Sequence, residues 1–319
     1  MYKFKSRKAF LSNRIITGFF SLLVLICLSS VYQNAFAGGA AGTPALVETQ
    51  WLADNIGKAG MRAVYIGNPS PNAMADFGSK HIEGSMFLSK QGLLDVLGNG
   101  SKPPDKAKFE ELMGKFGIGK DTHVVIYAMD SGNPFSANAF WLMKYFGHKK
   151  VSYLNGGIKK WSGEKRKTES GAPPKVEPAK YTATADASIL ADADYVLKNL
   201  KNSKVAIVDT RGTDVFSGKV NESGANKRAG RIPGAIDLQF AQANLNSDGT
   251  FKSAADLKAV YESKGVTKDK EVITYCQAGI RAANTYFVLK HILGYQKVRN
   301  YVGSWAEWGN LDPAKYPKE

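Results

Sequence analysis

Val272-Ile273-Thr274-Tyr275-Cys276-Gln277-Ala278-Gly279-Ile280-Arg281-Ala282-Ala283 runs from an apolar, β-branched segment through a glycine-bearing turn into residues that open a helical pattern. Strand, short loop and helix in that order predict one step of an α/β fold, a mostly parallel sheet with helices on both faces. In such sheets ligands sit beyond the carboxyl ends of the strands, where loops meet helix N-termini. Cys276 stands at that point. A thiol attacks as its thiolate, a form favoured by a helix N-terminus and by a nearby cation. Gly279 lets a tight loop turn its amides inward, and Arg281 adds a full positive charge, so Cys276 is a candidate nucleophile. The other reading of the cysteine alone, a buried structural thiol, has no use for an arginine so close. A Cys-His protease would need an imidazole from elsewhere, for which His81 and His291 are the candidates.

The N-terminus has a different grammar. Lys3, Lys5, Arg7, Lys8 and Arg14 stand there with no acid, followed by the apolar run Ile15 to Leu28 and by Ala35-Phe36-Ala37. This pattern predicts a secretory signal peptide over residues 1–37 with cleavage after Ala37. The alternative is an uncleaved anchor, for which the apolar run is shorter than the ~20 residues of a bilayer span. The remainder is expected in the periplasm or outside the cell, meeting a membrane only through the leader if that stays attached. Cys27 lies inside the run behind Leu25-Ile26 rather than the small residues of a lipoprotein signal, and is read as leader filler.

Removing the five basic residues of the leader takes the formal charge from +15 to +10. The lysines are spread, with no dense basic run and no zinc-finger or helix-turn-helix pattern, so no nucleic-acid partner is expected. A basic surface does concentrate small anions around the protein. A single cysteine in an oxidising compartment cannot pair within its chain, which leaves an intermolecular bridge or a free reactive thiol. The four histidines, His81, His123, His148 and His291, are scattered and no Cys-x-x-Cys spacing exists, so neither a metal nor another cofactor is expected.

Beyond the leader the chain echoes itself. The second half carries Ile207-Val208-Asp209-Thr210-Arg211, then Gly230-Arg231-Ile232-Pro233-Gly234-Ala235, then the Cys276 stretch, and closes on Lys297-Val298-Arg299-Asn300-Tyr301-Val302-Gly303-Ser304-Trp305-Ala306-Glu307-Trp308. The first half carries Ala63-Val64-Tyr65-Ile66-Gly67, then Lys80-His81-Ile82-Glu83-Gly84-Ser85, then Val124-Val125-Ile126-Tyr127-Ala128-Met129-Asp130, and closes on Lys150-Val151-Ser152-Tyr153-Leu154-Asn155-Gly156-Gly157-Ile158-Lys159-Lys160-Trp161. Four landmarks recurring in one order make a duplication at domain scale. The Pro-rich segment 171–180 reads as a semi-rigid linker, which sets an N-terminal domain over 38–170 and a C-terminal one over 181–319. Ala139 to Phe146 and Ala282 to Leu293 read as amphipathic helices, one in each half.

The loop from Cys276 to Arg281 resembles the active-site loop of the rhodanese (sulfurtransferase) superfamily. Asp209-Thr210-Arg211 is similar to that family's strand end, Arg231-Ile232-Pro233-Gly234-Ala235 to its following turn, and Tyr301 to Trp308 to its closing motif. The whole resembles a tandem thiosulfate or 3-mercaptopyruvate sulfurtransferase. The resemblance implies two rhodanese-like α/β domains of which only the second is catalytic, since Ala128 stands where the second copy has Cys276 and Ile66-Gly67 where it has Asp209-Thr210-Arg211. The first copy is then expected to supply one wall of an interdomain cleft.

The implied chemistry is ping-pong sulfur transfer through a persulfide on Cys276, from a small sulfur-containing anion to cyanide, a thiol or a protein. The loop residues Gln277, Ala278, Gly279, Ile280, Arg281 and Ala282 would cradle the sulfur with their amides. Arg281 either holds the donor or anchors the loop by pointing outward; Arg211 is a second candidate for donor binding; Asp209 is expected to fix the loop. Lys219, Lys227, Arg228 and Arg231 make the segment before the Ile232-Pro233-Gly234 turn basic, either as a solvated loop or as a rim that attracts anions. Thiosulfate or a polysulfide is the expected donor, with 3-mercaptopyruvate as the alternative. A non-catalytic sulfur carrier is a further reading, and so is a cysteine-dependent phosphatase or arsenate reductase. The phosphatase needs a loop one residue longer than the four that separate Cys276 from Arg281.

Overall fold

The Val/Ile-rich segments of each half line up as a parallel sheet because they are apolar on both faces and are joined by segments long enough to cross back. The computed structural model describes residues 43–98 and 103–319; the expected leader with Cys27 lies outside the described residues. In the first half β1 (Leu46–Val47), β2 (Met61–Ile66), β3 (Met86–Leu88), β4 (His123–Tyr127) and β5 (Val151–Leu154) form a sheet in the order β1-β5-β4-β2-β3. In the second half β6 (Leu190–Ala191), β7 (Val205–Asp209), β8 (Ile236–Asp237), β9 (Glu271–Tyr275) and β10 (Val298–Tyr301) repeat it as β6-β10-β9-β7-β8. All these pairings are parallel. The chain is thus an α/β protein of two five-stranded sheets with helices packed on them. Gly171 to Asp186 carry neither helix nor strand and run back along the first half, where Ala179 N–H donates to Gly114 O and Asp186 N–H to Tyr145 O.

Both copies are pinned in the same way. The hydroxyl of Tyr275, last residue of β9, accepts from Ile232 N–H at 3.2 Å, and that of Tyr127, last residue of β4, accepts from Ile82 N–H at 3.0 Å. The turn after the second strand is thereby held under the central strand. The end of each copy also pairs back on that turn, Arg231 with Glu319 and His81 with Glu169, through two backbone hydrogen bonds in each case.

The two helices expected to be amphipathic differ from that reading. The first spans Pro134–Tyr145, starting earlier because Asn133 caps Phe135 N–H and Pro134 suits the first helical turn. The second spans Ile280–Phe287 and continues as a π-helical turn over Val288–Ile292. They pack on each other across the two halves, with Phe140 edge-on to Phe287 at 4.8 Å between ring centroids. Both are therefore buried nearly all round; each lies between its own sheet and the other copy, so there is little solvent face to be polar.

Candidate active site

Cys276 follows the last residue of β9, the central strand of the second sheet, and only 1% of it is exposed. The loop behind it is fastened by its carbonyls. Cys276 O and Gln277 O accept from the backbone N–H groups of Trp305 and Ala306 at 3.0 and 2.8 Å, and Gly279 O accepts from Asn300 Nδ2 at 2.9 Å. In a trans peptide the carbonyl and the following N–H point in opposite directions. Tying these three carbonyls to the segment 300–306 therefore aims the amides of Gln277, Ala278 and Ile280 to the other side of the loop. The helix Ile280–Phe287 begins there and adds the unpaired N–H groups of its first turn. Gly279 makes the turn at φ +70°, and a Cβ on it would lie 2.6 Å from Val302 Cα. Only glycine meets both conditions.

Sequence reasoning missed Ser304. Its Oγ, fully buried, accepts from Cys276 N–H at 3.0 Å and Gly279 N–H at 2.9 Å and donates to Tyr301 O at 2.7 Å. Two of the loop amides are thus committed to Ser304, so the cradle expected over Gln277 to Ala282 loses Gly279. Ser304 sits at φ +50°, where the first copy has Gly157 at φ +56°. A serine kept where the duplicate uses glycine is strained unless its hydroxyl is needed, and that contrast is the signal in the sequence that could have found it. Ser304→Gly removes the hydroxyl without adding strain and is expected to cost about 1–3 kcal/mol in chemical denaturation by leaving buried amides unpaired. Sulfur loading of Cys276 should slow with it.

Arg211 does not line an open pocket. Its side chain is 1% exposed and bonds the fully buried Asp209 through Nε at 3.0 Å and Nη2 at 2.7 Å, with Nη2 also donating to Gly230 O at 2.7 Å. The guanidinium lies 4.9 Å from the Trp305 ring centroid and 5.5 Å from that of Tyr275. Burial opposes its charge, but Asp209 more than compensates and holds its pKa above the ordinary arginine value. Tyr275 donates its hydroxyl to Asp209 at 2.6 Å, and burial followed by the Asp209 charge keeps that phenol protonated. The expected donor contact at Arg211 is replaced by a brace under the strand that carries Cys276. Asp209, expected to fix the loop, binds Arg211 and the Tyr275 hydroxyl.

Gln277 and Arg281 both reach the segment between Phe216 and Gly230. The Gln277 amide exchanges two hydrogen bonds with Asn226, at 2.8 and 3.2 Å. Arg281 Nη2 lies 2.6 and 2.7 Å from the two carboxylate oxygens of Glu222. Burial works against charge on Arg281, yet the Cys276 thiolate and then Glu222 outweigh it and raise its pKa. Arg281 thus ties the start of its helix to that segment. Ala278 is the exposed residue of the loop, Ile280 is half-buried and Ala282 is buried. Of the basic residues in the segment, Arg228 donates to the carbonyls of Trp308, Gly309, Leu311 and Tyr316, and Arg231 pairs with Glu319. Lys219 and Lys227 are exposed.

Among the described residues no imidazole hydrogen-bonds Cys276. His81 is tied to Phe77 O and Glu169, and His291 packs on Phe140, Tyr286 and Phe287, where burial drives its pKa down to about 3. No group of three His, Cys, Asp or Glu side chains among the described residues is placed to hold a metal ion.

The first copy keeps the backbone of the site and fills it. Ala128 O and Met129 O accept from Ile158 N–H and Lys159 N–H, as Cys276 and Gln277 do in the second copy. Its amides, however, are capped from within: Gly132 N–H donates to Asp130 and Phe135 N–H to Asn133. A turn of the second copy closes over the rest, with Ser131 N–H donating to Gly249 O at 3.0 Å and Phe251 N–H to Asn155 Oδ1 at 3.0 Å. The first copy thus receives the second through its degenerate loop.

The rhodanese-like domain model matches this chain twice, over residues 50–164 and 192–311. The "Putative thiosulfate sulfurtransferase" of Saccharopolyspora erythraea is 37% identical over 284 residues, 86% of this chain and 97% of that protein. The sulfur carrier protein TtuD of Thermus thermophilus is 44% identical over 214 residues, 64% of this chain and 74% of that one. Among solved structures, the anaerobic ergothioneine biosynthesis enzyme of Chlorobium limicola superposes with a TM-score of 0.76 at 21% identity, over 86% of this chain and 69% of that one, a likeness of fold. With the domain matched in both halves and a relative aligned along nearly its whole length, the chain belongs to the rhodanese family and is a tandem-domain sulfurtransferase.

Proposed function

We propose that this sulfurtransferase takes the outer sulfur of thiosulfate, or of a polysulfide, onto Cys276 and hands it to a thiophilic acceptor: cyanide, a thiol or a protein. The Cys276 thiolate attacks the outer sulfur of thiosulfate; a new S–S bond forms while the donor's own S–S bond breaks, its electron pair leaving with sulfite. The acceptor then attacks the terminal sulfur of the persulfide, and the electron pair of the broken bond returns to Cys276 as thiolate. The amides of Gln277, Ala278 and Ile280 stabilise the negative charge on the terminal sulfur. The observation that carries this reading is the loop itself, a nearly buried thiol faced by amides whose partner carbonyls are all fastened on the far side. The name of the Saccharopolyspora relative favours thiosulfate as the donor. The Thermus relative, named a sulfur carrier, supports delivery to a protein acceptor. The leader grammar of residues 1–37 supports work in the periplasm or outside the cell.

Intact mass tests the scheme. The chain without residues 1–37, whose one cysteine is Cys276, is expected to gain one sulfur atom on incubation with thiosulfate and to lose it on addition of cyanide, whereas the same chain alkylated on Cys276 gains none. No gain, or an equal gain after alkylation, overturns the reading. Faster loading by 3-mercaptopyruvate at equal concentration overturns the choice of donor.

A further inference from the structure

Sulfur transfer through Cys276 leaves one charged side chain at the site without a task. Glu222 faces Arg281 at 2.6 and 2.7 Å, with 28% of its side chain and 25% of the arginine's exposed. Its segment is already held to the loop by the neutral Asn226–Gln277 pair, and Asn226 is itself fixed by Asn221. What Glu222 changes is the charge: Arg281 already carries a carboxylate on Nη2 before any donor arrives. An oxyanion donor that engages Arg281 through Nη2 meets the carboxylate already there. Thiosulfate brings two further negative charges to a site whose cation already holds a carboxylate.

We propose that Glu222 is a specificity-determining residue, a built-in competitor that occupies Arg281 until an anionic donor displaces it. The penalty falls hardest on doubly charged donors, so the residue sets which sulfur anions reach Cys276. The proposal rests on the reading of Cys276 as the sulfur acceptor, and the experiment separates the two.

Glu222→Gln keeps the size and a hydrogen-bond acceptor while removing the charge. The KM for thiosulfate is expected to fall about tenfold with kcat changed by less than about threefold, the gap narrowing as salt is added. A second arm needs no chemistry: calorimetric titration of thiosulfate into Cys276→Ser and into Cys276→Ser/Glu222→Gln, where the double variant is expected to bind about tenfold more tightly. Equal affinity in that pair overturns the competitor role even if sulfur transfer fails. A gain of the same size in Cys276→Ser/Asn226→Ala, which cuts the neutral tether without altering charge, also overturns it, because loosening rather than charge would then be the cause.

Discussion

The Cys276→Ser protein is expected to fold and to transfer no sulfur. Cysteine and serine are nearly the same size, and Cys276 N–H and O bond through the backbone to Ser304 and Trp305, contacts that the substitution leaves alone. The cost of a hydroxyl in a site with 1% exposure is about 1 kcal/mol, partly offset by the loop amides that face it. The chemical consequence is far larger. A serine oxygen is not ionised at neutral pH and cannot form a persulfide, and loss of a covalent nucleophile lowers turnover by about 10⁴-fold or more. Cyanide-dependent sulfur transfer measured with the folded variant, its helix content checked by circular dichroism, decides the matter. Turnover within about tenfold of the parent would remove Cys276 from the mechanism.

Arg211→Met should destabilise the second copy without having touched the donor. Methionine fills much of the space of the arginine stem, so packing on Trp305 and Tyr275 survives in part. What is lost is the charge that balances Asp209, a carboxylate with no exposed surface. Removing one member of a buried ion pair costs about 3–5 kcal/mol because the other is stranded. For a chain of this size that is roughly a 10 °C fall in melting temperature. A donor-binding arginine predicts the reverse pattern, an unchanged melting temperature with a raised KM for thiosulfate. Scanning calorimetry beside steady-state kinetics on the same preparation separates the two.

The fold was legible because its signals are local. The runs that end at Asp209, Tyr275, Tyr127 and Leu154 are apolar and β-branched, and all are strands. The recurrence of four landmarks identified the duplication, since a sequence echo needs no knowledge of contacts. What failed to show was whatever depends on the other copy. The helix Pro134–Tyr145 reads as amphipathic only if one face meets water, and in the folded chain that face meets the helix Ile280–Phe287. Within the site, Cys276, Gly279 and Arg281 announce themselves by spacing. Arg211 announced itself too, but the sequence could not say which way its guanidinium turned. Ser304, Asn226 and Glu222 reach the loop from 28, 51 and 59 residues away, and no periodicity encodes contacts at those distances.

The closing of the first copy's loop has a historical consequence. Asp130 and Asn133 have taken the amides of Gly132 and Phe135, and the turn at Gly249 lies against the loop, with a Cβ on that glycine 2.7 Å from the Asp130 Cβ. A cysteine restored at Ala128 would lie under a plug supplied by its own twin. The loop of the first copy has thereby become the footing on which the second copy rests.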